Sequence, residues 1–254
     1  MHTEDASRVP FAAAAAGALA AAGTVAVRAV RRGRPVHPHG VALRGRVDWY
    51  RRAEPSGIGW IDDGAADGQV VEARLSRGIG LPAVLPDIWG LAVRATTPGG
   101  PADLLLAATG LGLPDRWMLR PARTADGLRF TSLVPYRGAL GPVLVAARAL
   151  PGPTLPSDPS ASAAVLDEGS WVLQLLHAEP LGVWHPFARL VLARDAGTTD
   201  TDTGTRFDPM LRPLPGSGTY PWTRALREPS YAVAREGLAG SASVPLGTTR
   251  PLPR

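Results

Sequence analysis

The chain has 254 residues, enough for one large domain with a substantial buried core. Apolar residues make up 45% and charged residues 19%, a globular balance rather than a disordered one. Cysteine is absent, which excludes disulfides, thiolate metal sites and cysteine nucleophiles. The net charge is +5, carried on the basic side entirely by arginine. The arginines are scattered, and the densest group (Arg28, Arg31, Arg32, Arg34) lacks the interleaved aromatics of a single-strand platform. Nucleic-acid binding is not expected.

Residues 1–10 read as a frayed start. Phe11–Val27 is apolar and alanine-rich. Glu4 and Asp5 precede it, where a signal peptide wants basic residues. Alanine favours helix strongly, so residues 11–31 read as a helix lying on a soluble domain, stopped near Gly33 and Pro35. A membrane anchor is the alternative reading of 11–27. A cytoplasmic location is expected.

Strand signals begin next. Val41–Trp49 alternates apolar and polar positions, the period-two pattern of a half-buried strand. Residues 69–76, 88–95, 103–109, 128–135 and 142–149 repeat it. Turns rich in Asp, Gly and Pro separate them, as at 62–64, 98–100 and 126–127. Residues 150–160 read as a proline-rich loop. Strands are expected at 171–178 and 187–193, followed by a mobile polar loop at 195–205. A helix is expected within 219–236, and the tail from 237 is flexible. Many short strands with such turns indicate a sandwich or a barrel.

Several enzyme signatures are missing. There is no phosphate-cradling glycine loop, no Gly-x-Ser-x-Gly elbow and no His-Glu-x-x-His pair. His37 and His39 form a His-x-His pair, a weak metal signal without carboxylate support.

One ordered set of motifs stands out. Arg34-Pro35-Val36-His37-Pro38-His39-Gly40 leads into the first strand, and Arg74-Leu75-Ser76 ends the second. Asp87-Ile88-Trp89-Gly90-Leu91-Ala92-Val93-Arg94 precedes Asp103-Leu104-Leu105 by a short hairpin. Arg227-Glu228-Pro229-Ser230-Tyr231 comes near the end. In this order the segments resemble the haem-dependent catalase superfamily. The resemblance covers 34–110 fairly continuously and 224–235 in patches.

That resemblance implies a β-rich α+β fold, a catalase-like antiparallel β-barrel with an N-terminal helix and few peripheral helices. It divides the chain into a tail and helix (1–33), a barrel with a proximal helix (34–236) and a C-terminal tail (237–254). It implies haem b, with Tyr231 as the iron ligand, and an arginine at i−4, Arg227, would favour the phenolate. It makes His37 the distal acid–base, held by Ser76. Val36 would narrow the channel, and Arg34 and Arg74 would pair with the propionates. The implied activity is reduction of hydrogen peroxide or organic hydroperoxides with a small organic reductant. A catalase-shaped binding protein without haem, or a lipid-hydroperoxide isomerase, are the alternatives, and a homo-oligomer is compatible with each.

The bland readings stay beside these. His37 could be a turn histidine, Arg74 a surface strand residue, Ser76 a strand end and Tyr231 a residue at the core rim. The chain also departs from the family pattern. Ala107 and Ala108 stand at the family's Asn pair, with Thr109 as a candidate to compensate, while Trp89, Arg94 and Ala102 replace its Arg, Lys and Phe.

Overall fold

A computed structural model describes residues 39–65, 67–198 and 200–225. They belong almost wholly to one compact unit, Val36–Arg224. Ten strands form in order: β1 Gly40–Trp49, β2 Gln69–Arg77, β3 Asp87–Thr97, β4 Gly100–Thr109, β5 Pro121–Ala122, β6 Arg129–Thr131, β7 Tyr136–Gly138, β8 Gly141–Ala149, β9 Trp171–Ala178 and β10 His185–Arg194.

Eight of them close a ring in the order β1-β2-β3-β4-β6-β8-β9-β10, and β10 pairs back onto β1. Every pairing is antiparallel. The outcome is a closed eight-stranded barrel, which removes the exposed strand edges an open sheet would leave. β5 extends β3, and β7 pairs with β8.

Alternation decides what fills the barrel. Val41, Leu43 and Val47 of β1, Val71, Ala73 and Leu75 of β2, and Leu91 and Val93 of β3 all join one buried core cluster. Side chains of such a small barrel fill its interior. Phe130 and Trp171 meet edge to face at 6.0 Å between ring centroids.

The two ends are plugged by connections. Between β1 and β2 a one-turn helix, Gly59–Asp62, carries Trp60 and Ile61 into the core. Trp60 meets Trp49 and Phe187 edge to face. The Asp62 carboxylate holds this connection by accepting from Ser56 N, Ser56 Oγ and Gly57 N, each at 2.8 Å. At the opposite end, between β8 and β9, the helix Pro159–Glu168 packs on β1 and β10 and contributes Leu166 to the core. Asp158 caps it by accepting from Ala161 N, and Pro159 sits in its first turn.

Three local expectations change. The strand read at 128–135 shrinks to Arg129–Thr131. Leu133 takes a positive φ of 61° and ends it, with the Ser132 hydroxyl donating to Val134 O. The proline-rich stretch gives way at Pro159 to a ten-residue helix. The 195–205 loop is anchored rather than loose, since Thr201 O accepts from Ala42 N at 2.8 Å and Asp202 is tied to β2.

A second anchor secures the chain beyond β10. Asp103 on β4 is fully buried and accepts two bonds from Arg94, at 2.7 and 2.8 Å. It also accepts from Asp208 N at 2.7 Å, while Arg94 donates to Arg206 O at 2.5 Å and lies over the Phe207 ring. Removing one member of a buried pair strands the other. Asp103→Ala should therefore lower unfolding free energy by about 3–5 kcal/mol in urea titrations. A loss below about 1 kcal/mol, the range of an exposed pair, would refute this anchor.

Candidate functional site

Arg74 and Ser76 lie two residues apart on β2, so both leave the face opposite Ala73 and Leu75, which enter the core. Register then builds a wall on the barrel's outer surface. Gly40, Ser76, Gly90 and Ala107 form one row across β1 to β4. Ala42, Arg74, Ala92 and Leu105 form the next. Most of these side chains are small, which keeps the wall low in relief. The Ser76 hydroxyl lies 3.5 Å from Gly90 O, at the outer limit of hydrogen-bond reach. A Cβ on Gly40 would meet Leu75 O at 2.7 Å and Arg74 Cζ at 2.9 Å. Glycine here lets the Arg74 guanidinium lie against β1.

Arg74 is buried, and it already holds a carboxylate. Its Nε and Nη2 donate to the two oxygens of Asp202, each at 2.6 Å. This is the bidentate fork that matches guanidinium to carboxylate and makes a charge-assisted pair strong. Asp202 also accepts from Thr203 N at 2.7 Å. The arginine expected to meet a cofactor propionate thus binds the chain's own aspartate.

Beside this pair opens a cleft of about 410 Å³, in the range of small-molecule pockets. Its lining includes His39, Gly40, Arg77, Asp158, Ser160 and Asp202. One rim is the β2–β3 loop, held by two buried opposite charges. Asp87 accepts from the backbone N–H of Ile79, Gly80 and Leu81 at 2.7–3.0 Å, and from its neighbour Ile88. Arg77 donates to the carbonyls of Leu81, Pro82 and Leu85. Its Nε stands 3.8 Å from the Asp87 carboxylate. Burial alone would raise the Asp87 pKa, but the backbone donors outweigh it and hold the carboxyl below its ordinary value. Asp87 is structural in this arrangement.

Of the residues singled out in the sequence, Arg74 and Ser76 share one wall. Arg34, Val36, His37, Arg227 and Tyr231 lie outside the described residues. Ala107 occupies the same row as Ser76, so the wall has a methyl where the family pattern has an amide. The Thr109 hydroxyl donates to Gly110 O at 2.9 Å and contacts the Thr131 hydroxyl at 3.1 Å. Asp202, the carboxylate in the Arg74 fork, has no signal in the sequence beyond a polar loop. Among the described residues no group of three or more His, Asp or Glu could hold a metal ion.

No family model matches the sequence, and no curated protein matches it. Solved structures do match the fold. A bacterial catalase aligns with a TM-score of 0.51 at 13% identity, over 80% of this chain and 56% of its own. A fungal catalase aligns at 0.53 and 12%, over 84% and 60%. Catalase A from Saccharomyces cerevisiae aligns at 0.55 and 12%, over 84% and 62%. This chain therefore has a catalase-like fold, and it spans less than two thirds of the length of the catalases it matches.

The Asp87 clamp has a pH signature. A carboxyl with a depressed folded pKa adds stability above its unfolded pKa, about 3.9, and loses it as pH falls through the folded value. Asp87→Asn should cost about 1–3 kcal/mol at neutral pH, where backbone donors lose their charged acceptor. It should also flatten the acid limb of the stability curve below about pH 4, read by thermal melts across pH. A variant whose acid limb matches the parent's would contradict the clamp.

Proposed function

We propose that this protein binds haem b on the outer wall of the barrel and reduces peroxides with an organic co-substrate. The carrying observation is the buried Arg74, set in a low-relief wall with Ser76 and already shaped to hold a carboxylate in a bidentate fork. On both counts the described residues fit haem: a row of Gly, Ser and Ala suits a planar ring, and the fork suits a propionate. Asp202 must leave the fork for that exchange.

Haem supplies a redox-active iron when bound. The chain's part is to hold it and manage protons. Arg74, with Arg34, would bind the propionates. Tyr231 would ligate the iron as phenolate, and Arg227 would favour its deprotonation through positive charge. Val36 would restrict access. His37 would accept a proton from the peroxide and return it to the leaving oxygen, with Ser76 fixing the imbidazole's orientation. Ala107 offers no hydrogen bond to the second peroxide oxygen, which favours peroxidase turnover over rapid disproportionation. Lipid hydroperoxides are within the same substrate class.

A second reading is favoured by the same fork. If Asp202 keeps Arg74 permanently, the protein is a catalase-fold binding or structural protein without haem. Titration with haemin separates the two. The haem reading expects a Soret band at one equivalent, weaker binding in Arg74→Ala, and tighter binding in Asp202→Asn. It also expects His37→Ala to retain haem while slowing peroxide-driven oxidation about a hundredfold or more. An absent Soret band in both the parent and Asp202→Asn would leave the second reading.

A further inference from the structure

One pair of ionisable side chains belongs neither to the haem wall nor to the cleft. His177 on β9 and His185 on β10 stand opposite each other in the register of the two strands. Their rings stack, with centroids 5.6 Å apart and planes inclined by 28°. His177 is buried, on the same strand face as Leu173 and Leu175, and its ring also meets Phe187 at 6.1 Å. His185 is half-buried and borders the irregularity between Pro186 and Ala188. An imidazole is costly to bury as a cation, and two cations this close repel. Burial therefore favours the neutral ring at His177.

What His177 holds is the connection from β1 to the one-turn helix. Its Nε2 donates to Glu54 O at 2.9 Å, across 123 residues of chain. A carbonyl can only accept, so this nitrogen carries the proton. At one end of the connection Tyr50 N donates to Phe187 O, and at the other Asp62 takes Ser56 and Gly57. Between them, among the described residues, 51–55 make no other hydrogen bond, and Arg51, Arg52, Glu54 and Pro55 are exposed. The charges around the ring oppose one another. Burial, the largest influence, and His185 disfavour an imidazolium at His177. The Glu54 carbonyl and the carboxylates of Asp62 and Glu54 favour it. Burial prevails and holds the His177 pKa below its ordinary value. From β8, Val145 stands opposite His177 and adds no charge.

We propose that His177 and His185 form an acid-sensitive latch on the β1–β2 connection, closed while the rings are neutral and released when a proton enters the pair. A proton favours whichever state leaves the imidazole in water. Released, His177 takes the ordinary histidine pKa of about 6.5, and latched it lies lower. The latch is at full strength above about pH 6.5. As pH falls below that, opening becomes more favourable by up to about tenfold per pH unit, until the latched value is passed. The release is local. It frees 51–55 and the Ser56–Gly57 bonds beyond them, while the strands of the barrel keep their pairing. This inference does not rest on the haem reading.

The test is amide hydrogen exchange of the full chain between pH 7.5 and pH 5, corrected for the intrinsic effect of pH. The reporters are the amides of Ser56, Gly57 and Ile58, which are bonded within the connection. Their protection should fall about tenfold or more over that range, while amides of β8 keep theirs. His177→Gln can place an amide N–H near the position of Nε2 and does not titrate. His177→Phe has neither donor nor charge. Both variants should lose the pH dependence. An acid-dependent loss of protection retained in either variant would overturn the proposal. The parent alone also decides it. The imidazole resonances of His177 should titrate in step with the exchange, and protection that is flat with pH, or that follows neither ring of the pair, would overturn the latch without any variant.

Discussion

Closure of the ring between β10 and β1 governs the rest of the molecule. Once β10 pairs with β1 over Leu43–Trp49, each strand has a fixed inside and outside. A slip of one residue would exchange them. The inside takes the apolar set, and the outside of β1 to β4 carries the small residues Gly40, Ala42, Ser76, Gly90, Ala92 and Ala107 together with the charges of Arg74, Arg94 and Asp103. Those buried charges on the outer wall then decide where the chain after β10 can run. Asp202 goes to Arg74, and Arg206 to Asp208 go to the Arg94–Asp103 pair. One geometric condition therefore produces both the packed core and the polar seat.

That seat links fold to chemistry. A guanidinium withdrawn from water is costly unless a carboxylate meets it with good geometry. Arg74 has such a partner in Asp202, so its charge is compensated within the chain. The same economy makes the fork a point of competition. A propionate gains Arg74 only by displacing an aspartate held on the same chain, and the energy of that exchange sets how readily the wall could take a cofactor. The connection after β4 is tied to the β9–β10 turn by a different arginine, Arg116, whose partners are the carbonyls of Glu179, Pro180 and Gly182 rather than carboxylates. Two arginines thus do unlike work, one in recognising a carboxylate and one in tying two loops.

Much of the barrel was legible in the sequence. β1, β2 and β9 follow the alternation closely, because a closed barrel with a filled interior enforces period two along each strand. β6 was read too long, since the turn at Leu133 depends on a positive φ that leucine does not advertise. The helix at Pro159 carried a readable start, Asp158 followed by proline, but the surrounding prolines masked it. For the site, Arg74 and Ser76 were found by motif, and their common face follows from strand parity. Asp202 was not legible. It pairs across 128 residues from a loop of Asp, Thr and Gly whose local pattern specifies nothing. The expected iron ligand Tyr231 and acid–base His37 lie outside the described residues.

The fork is best tested by a crystal structure of the protein grown in the presence of haemin. The haem reading predicts a porphyrin against the Ser76–Gly90–Ala107 row, a propionate in the Arg74 fork and Asp202 displaced from it. A well-ordered barrel in which Arg74 still grips Asp202, with no porphyrin on that wall, would contradict it.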